Sequence, residues 1–104
     1  MAAYLISDLT VRDAEAFQTY RTRAAAAIEK YGGRYLARGG EIQALEGSWY
    51  PGNIVVVESP DLGQARAWYT SPEYASALKV RDIALERDMI LVDGYREMTG
   101  TPFS

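Results

Sequence analysis

The stretch Asn53-Ile54-Val55-Val56-Val57-Glu58-Ser59-Pro60-Asp61 decides the architecture of this chain. Its centre is β-branched and apolar, the composition of a strand. Ser59-Pro60-Asp61 then sets an N-cap residue before a proline suited to the first helical position, so a helix should start as the strand ends. Ile54 to Val57 are apolar without alternation, so neither face of the strand is polar and both need cover.

Upstream, Arg34–Arg38 (Arg-Tyr-Leu-Ala-Arg) reads as a shorter strand closed by Gly39-Gly40. Residues 41–52 (EIQALEGSWYPG) join the two as a long hairpin connection, with room for an extended piece at 42–45. Further back, Phe17, Tyr20, Ala24, Ile28 and Tyr31 recur at spacings of three and four, one stripe of an amphipathic helix. Asp13 is its expected N-cap, and Gly32-Gly33 its end. The alanines at 24–27 favour helix and let it lie close to a sheet. Residues 3–9 (AYLISDL) form the expected first strand.

Downstream, the second helix should run to about Thr70. Ser71-Pro72-Glu73 repeats the start signal, which opens a further helical segment to about Leu85. Residues 89–95 (MILVDGY) read as the last strand, and 97–104 as a C-terminal tail.

The order β-α-β-β-α-β, with the second helix broken near Ser71-Pro72, specifies an α+β domain over residues 1–96. It is the ferredoxin-like, split β-α-β pattern, a four-stranded antiparallel sheet in order 4-1-3-2 with its helices on one face. The other face then lies bare although the third strand is apolar on that side too. A second copy packed sheet to sheet is the simplest cover, so a homodimer through the open sheet face is expected.

Composition bounds the chemistry. The 104 residues include no cysteine and no histidine. That excludes disulfides and thiolates, and it removes the usual general base and the commonest metal and haem ligand. No metal or other cofactor is expected. The net charge is −3, and the basic residues are scattered without forming a stripe, so nucleic acid is an unsuitable partner. The longest apolar runs are too short for a signal sequence or a membrane span, which points to a reducing cytoplasm.

The expected strand directions bring Asp8 and Arg38 to one rim with the hairpin, and Glu58 and Asp93 to the other beside Tyr4. Arg38 could reach Asp8 across the rim, and Glu58 and Asp93 could flank a small ligand. The hairpin concentrates Glu46 and Trp49 in one loop, where binding residues are common. Trp68 and Tyr74 gather around the helix break, as core or as the wall of a pocket, with Arg81 close by. Glu46 and Arg38 are therefore the candidate catalytic pair, an acid/base and an oxyanion holder. Trp49, Trp68, Tyr74, Arg81 and Asp93 are the candidate ligand-binding residues. An Arg38–Glu46 ion pair that merely fixes the hairpin is the structural alternative.

The segments Tyr31-Gly32-Gly33-Arg34-Tyr35-Leu36-Ala37-Arg38-Gly39-Gly40, Leu45-Glu46-Gly47-Ser48-Trp49 and Ala67-Trp68-Tyr69-Thr70-Ser71-Pro72-Glu73-Tyr74 carry a further signal. With Arg81 and Val92-Asp93-Gly94, they resemble the bacterial family catalogued as domain of unknown function 1330. The resemblance spans about residues 3–95 and implies a dimeric α/β barrel, two ferredoxin-like sheets closed on each other. The same superfamily includes cofactor-free monooxygenases, isomerases, haem-degrading enzymes and stress-responsive proteins. The convergence of Arg38, Glu46, Trp49, Trp68, Tyr74 and Arg81 points to a protein that binds, or transforms without metal or haem, a small organic molecule in a pocket between sheet and helices. A non-catalytic dimeric structural or stress-response module is the alternative, and the absence of histidine speaks against the haem branch.

Overall fold

In the computed structural model, which describes residues 1–95, the first strand is β1 (Ala3–Val11), followed by helix α1 (Ala14–Lys30). Strands β2 (Arg34–Arg38) and β3 (Asn53–Ser59) come next, then helices α2 (Leu62–Tyr69) and α3 (Pro72–Ala84) and strand β4 (Leu85–Asp93). The tail expected at 97–104 lies outside the described residues. No helix among those described is long and apolar enough to cross a membrane.

Each helix begins where a short polar side chain replaces a missing backbone bond. Asp13 accepts from the Ala16 amide at 2.8 Å, Asp61 from Gln64 at 2.7 Å and Ser71 from Tyr74 at 3.0 Å. The Ser71-Pro72 start is as expected. The Ser59-Pro60 start is not, because Ser59 remains in the ladder opposite Ala3 and leaves the cap to Asp61. At the end of α1, Gly32 adopts φ +81°, a conformation that costs a glycine little.

The sheet is antiparallel in the order β2-β3-β1-β4, the expected arrangement read from its other edge. Leu5 pairs with Val57 and Leu91, and Ser7 with Val55 and Met89, so these residues share the helix-covered face. Leu5, Leu9 and Val57 meet Tyr20, Ala24 and Ile28 of α1 in the core, together with Trp68 and Tyr74. Ala24 and Ala27 are fully enclosed, so the alanine run does let α1 lie close. Ile6, Ile54 and Val56 alternate onto the opposite face. There they join Ile90, 57% exposed, and Val92, 42% exposed.

Two boundaries differ from the sequence reading. Residues 39–52 contain neither helix nor strand, so the extended piece expected at 42–45 does not form. Strand β4 starts at Leu85 rather than Met89, directly from α3 and without a loop. The cause is β1, which continues past Leu9 so that Thr10 and Val11 pair with Glu86 and Leu85. The polar run Leu85-Glu86-Arg87-Asp88 is thus strand, and its alternation turns Leu85 and Arg87 toward the helices.

Candidate functional site

Beneath α1, on the helix-covered face, lies a cavity of about 50 Å³. Ser7, Val55 and Met89 form its floor, Tyr20 and Ala24 its roof, and Trp68 closes one side. Arg87 reaches it from β4. Leu9 pairs directly with Arg87 and is buried on this face, so Arg87 occupies an inward position of the ladder.

Arg87 does not meet a carboxylate there. One of its guanidinium nitrogens donates to the Tyr20 hydroxyl and the other to the Tyr74 hydroxyl. The two hydroxyls lie 2.7 Å apart, so the three side chains form a closed triangle linking β4, α1 and α3. The guanidinium also sits 5.3 Å from the Tyr20 ring centroid and 5.7 Å from that of Tyr74. Tyr74 is fully enclosed and packs on Trp68 with centroids 4.1 Å apart. The Trp68 indole N–H is buried with no hydrogen-bond partner among the described residues.

These contacts set the protonation states. Burial raises the Tyr20 pKa well above the ordinary phenol value, and the adjacent Tyr74 hydroxyl adds to the rise. Tyr20 is therefore a neutral hydroxyl at any physiological pH. Burial works against charge on Arg87, but the two tyrosine oxygens outweigh it and raise its pKa. The site presents a fixed cation beside the neutral Tyr20 hydroxyl. Among the described residues, no group of three or more acidic side chains could hold a metal ion.

The residues singled out from sequence separate. Arg38, Trp68 and Tyr74 come together: Arg38 and Trp68 line the cavity, and Tyr74 completes the triangle at its inner end. Arg38 is exposed at the outer end and lies over the Tyr35 ring, 4.3 Å from its centroid. It forms no ion pair with Asp8 or Glu46; the ion pairs of the described residues engage Arg12, Lys30, Arg34 and Arg81 instead.

Glu46 is exposed in the hairpin and is not among the cavity-lining residues. Trp49, 65% exposed, donates its indole N–H to Asp8 at 3.3 Å on the hairpin rim. Arg81 lies beside Asp82 at 3.3 Å in a broad open depression, which shares Arg87 and Met89 with the cavity. Asp93 is at the far rim, where it accepts from the Gly94 amide at 3.1 Å. Its expected neighbour Glu58 is bound to Arg34 at 2.7 Å.

Sequence reasoning missed Tyr20 and Arg87 as site residues. Tyr20 was indistinguishable from core on its helical stripe. Arg87 did have a signal, the period-two pattern Leu85, Arg87, Met89, Leu91, but the charges between those positions resembled a loop.

The comparisons with known proteins agree with this architecture. The family model described as domain of unknown function (DUF1330) matches residues 2–95. No curated protein matches the chain in sequence. Among solved structures, a protein of unknown function from Rhodopseudomonas palustris superposes with TM-score 0.74 at 18% identity, over 92% of this chain and 84% of that one. A cofactor-independent oxygenase from Streptomyces nogalater gives 0.65 at 14% identity, over 96% and 98%. A dimeric protein of unknown function with a ferredoxin-like fold, from Bacteroides fragilis, gives 0.51 at 16% identity, over 89% and 96%. At these identities the likeness is one of fold.

Proposed function

The chain belongs to the family described as domain of unknown function DUF1330, and we propose that it forms a homodimer whose subunits each bind a small organic molecule in the cavity beneath α1. One observation carries the binding role. Tyr20 and Arg87, bound to each other and to the enclosed Tyr74, present their polar groups to an otherwise mostly apolar cavity. A few convergent polar groups in an apolar, largely preformed hollow are the usual construction of a small-molecule site. A purely structural interior would reach the same stability with apolar side chains and no half-buried cation, since desolvating charge is costly.

The dimer rests on the open sheet face. Ile6, Ile54, Val56, Ile90 and Val92 make an apolar surface there that no element among the described residues covers, and large patches of this kind mark interaction sites. The dimeric Bacteroides fragilis structure shares the fold, which supports this arrangement.

The binding role is tested by filling the cavity. Ser7 lies on its floor in mid-strand, where a β-branched replacement suits the backbone. Small-molecule fragments that raise the melting temperature of the wild type should lose that effect in Ser7→Val. Fragments that stabilise both proteins equally bind elsewhere, and that result would remove the proposal.

A further inference from the structure

We infer that the cavity is selective for a small organic anion, whose charged oxygens are taken by Arg87 together with the Tyr20 hydroxyl, the two members of the triangle that line it. The inference rests on the cavity being a ligand site, as proposed above, and adds the charge and size of what enters it.

The first support is electrostatic. Arg21, Arg38 and Arg87 all line the cavity, and among the described residues no aspartate or glutamate does. None of the three takes part in the ion pairs of the described residues. Aromatic rings stand where carboxylates would be expected: Phe17 lies 6.0 Å from Arg21, Tyr35 is under Arg38, and Tyr20 and Tyr74 flank Arg87. In a chain of net charge −3 with 14 acidic residues, a hollow lined by three guanidiniums and no acid is a local inversion of charge. A partly desolvated guanidinium without a counter-ion gains most from a ligand that supplies one.

The second support is the count of hydrogen atoms. Arg87 has five N–H donors and no acceptor, and each tyrosine hydroxyl carries one proton. When Tyr74 donates to Tyr20, the Tyr20 proton is left free to turn into the cavity that Tyr20 lines. The buried Trp68 indole N–H also lacks an acceptor among the described residues. The inner end of the cavity is rich in donors and poor in acceptors. A carboxylate, which only accepts, complements it, whereas an amide would set its own N–H groups against donors. Because burial keeps Tyr20 protonated, this donor is retained across the physiological range.

Size narrows the class. The volume of about 50 Å³ is a third of the roughly 150 Å³ hole that admits benzene in a protein core. As it stands, the cavity suits an acid of a few carbon atoms, with its carboxylate inward and its other end toward Arg38 and Arg21.

Pyruvate and pyruvamide, which match in shape and differ in charge, provide the test, with benzoate and benzamide as a larger pair. Titration of the full chain followed by NMR should move the Trp68 indole and Arg87 guanidinium resonances. Pyruvate should bind at least about tenfold more tightly than pyruvamide, the difference one charge-assisted hydrogen bond supplies. Arg38→Gln, at an exposed position that does not put folding at stake, should weaken pyruvate and leave pyruvamide unchanged. Arg87→Lys, which keeps charge but loses the fork, should retain a reduced preference for the acid. Equal affinity for pyruvate and pyruvamide overturns the anion inference and leaves the cavity as a site for neutral molecules. If none of the four compounds moves either resonance, the binding proposal falls along with it.

Discussion

The Tyr20 and Tyr74 hydroxyls are 2.7 Å apart, a buried hydrogen bond between α1 and α3, which at their exposed margins also share the Lys30–Glu73 ion pair and the Arg23 bond to the Ser76 carbonyl. Both oxygens also accept from Arg87, so removing one hydroxyl leaves a half-buried guanidinium donor without its partner. Tyr74→Phe should therefore cost about 1–3 kcal/mol, the range for an orphaned buried partner. Tyr20→Phe should cost a similar amount. Because the two share Arg87, the double variant should cost less than the sum of the singles. Urea unfolding of the four proteins completes the cycle, and strict additivity would show that the triangle is not a unit.

The same burial predicts how stability depends on alkali. The folded-state pKa of Tyr20 is raised by burial, and its unfolded-state value is the ordinary one near 10. Below about pH 10 both states hold the proton, and the stabilisation is fully present. Above it the unfolded chain loses the proton while the folded chain keeps it, so stability falls as pH rises toward the folded pKa. Each pH unit in that window removes about 1.4 kcal/mol for such a group. Tyr20→Phe should flatten the decline between pH 10 and 11 in urea titrations; an unchanged slope would contradict the assignment.

The hairpin is held from β1. Asp8 accepts from the Trp49 indole at 3.3 Å and from the Gly52 amide at 3.0 Å, while Glu46 is exposed on the same loop. Asp8→Ala should speed hydrogen exchange of the Gly52 amide and proteolysis within residues 41–52. Glu46→Gln should leave the unfolding free energy within about 0.5 kcal/mol of wild type, as for a surface change away from any network. A marked loss of stability in Glu46→Gln would instead restore the structural ion pair with Arg38 that the sequence suggested.

Strand order and helix positions were legible because they depend on local signals. The stripe from Phe17 to Tyr31, the Ser71-Pro72 start and the apolar block at 54–57 each specify their element within a few residues. The site was legible only in part. Trp68 and Tyr74 were found as an aromatic pair at a helix break, and Arg38 as a strand-end cation. Their partners Tyr20 and Arg87 are 54 and 13 residues from Tyr74 along the chain, and nothing local joins them. Arg87 further depends on β1 reaching Val11, because that extension converts a polar run into a strand with an inward arginine. Long-range register of this kind is fixed by the ladder, not by the residues that use it.

The sheet face without helices carries apolar side chains. Ile90 is 57% exposed at a strand position whose alternation points away from the core, and Ile6 is opposite it in the ladder. Sheet-to-sheet packing of two copies would bury both, together with Ile54 and Val56 of β3. Stable protein interfaces cover roughly 800 Å² on each partner, and a four-stranded face is the surface here able to supply that area. Sedimentation of the wild type at micromolar concentration should give a dimer. Ile90→Lys places a charge on the shared face, on the edge strand beside Ile6, and should yield monomers. The helix-side core is untouched by that change, so Trp68 should remain as shielded from fluorescence quenchers as in the wild type. A monomeric wild type would refute the dimer, and a dimeric Ile90→Lys would move the interface to another surface.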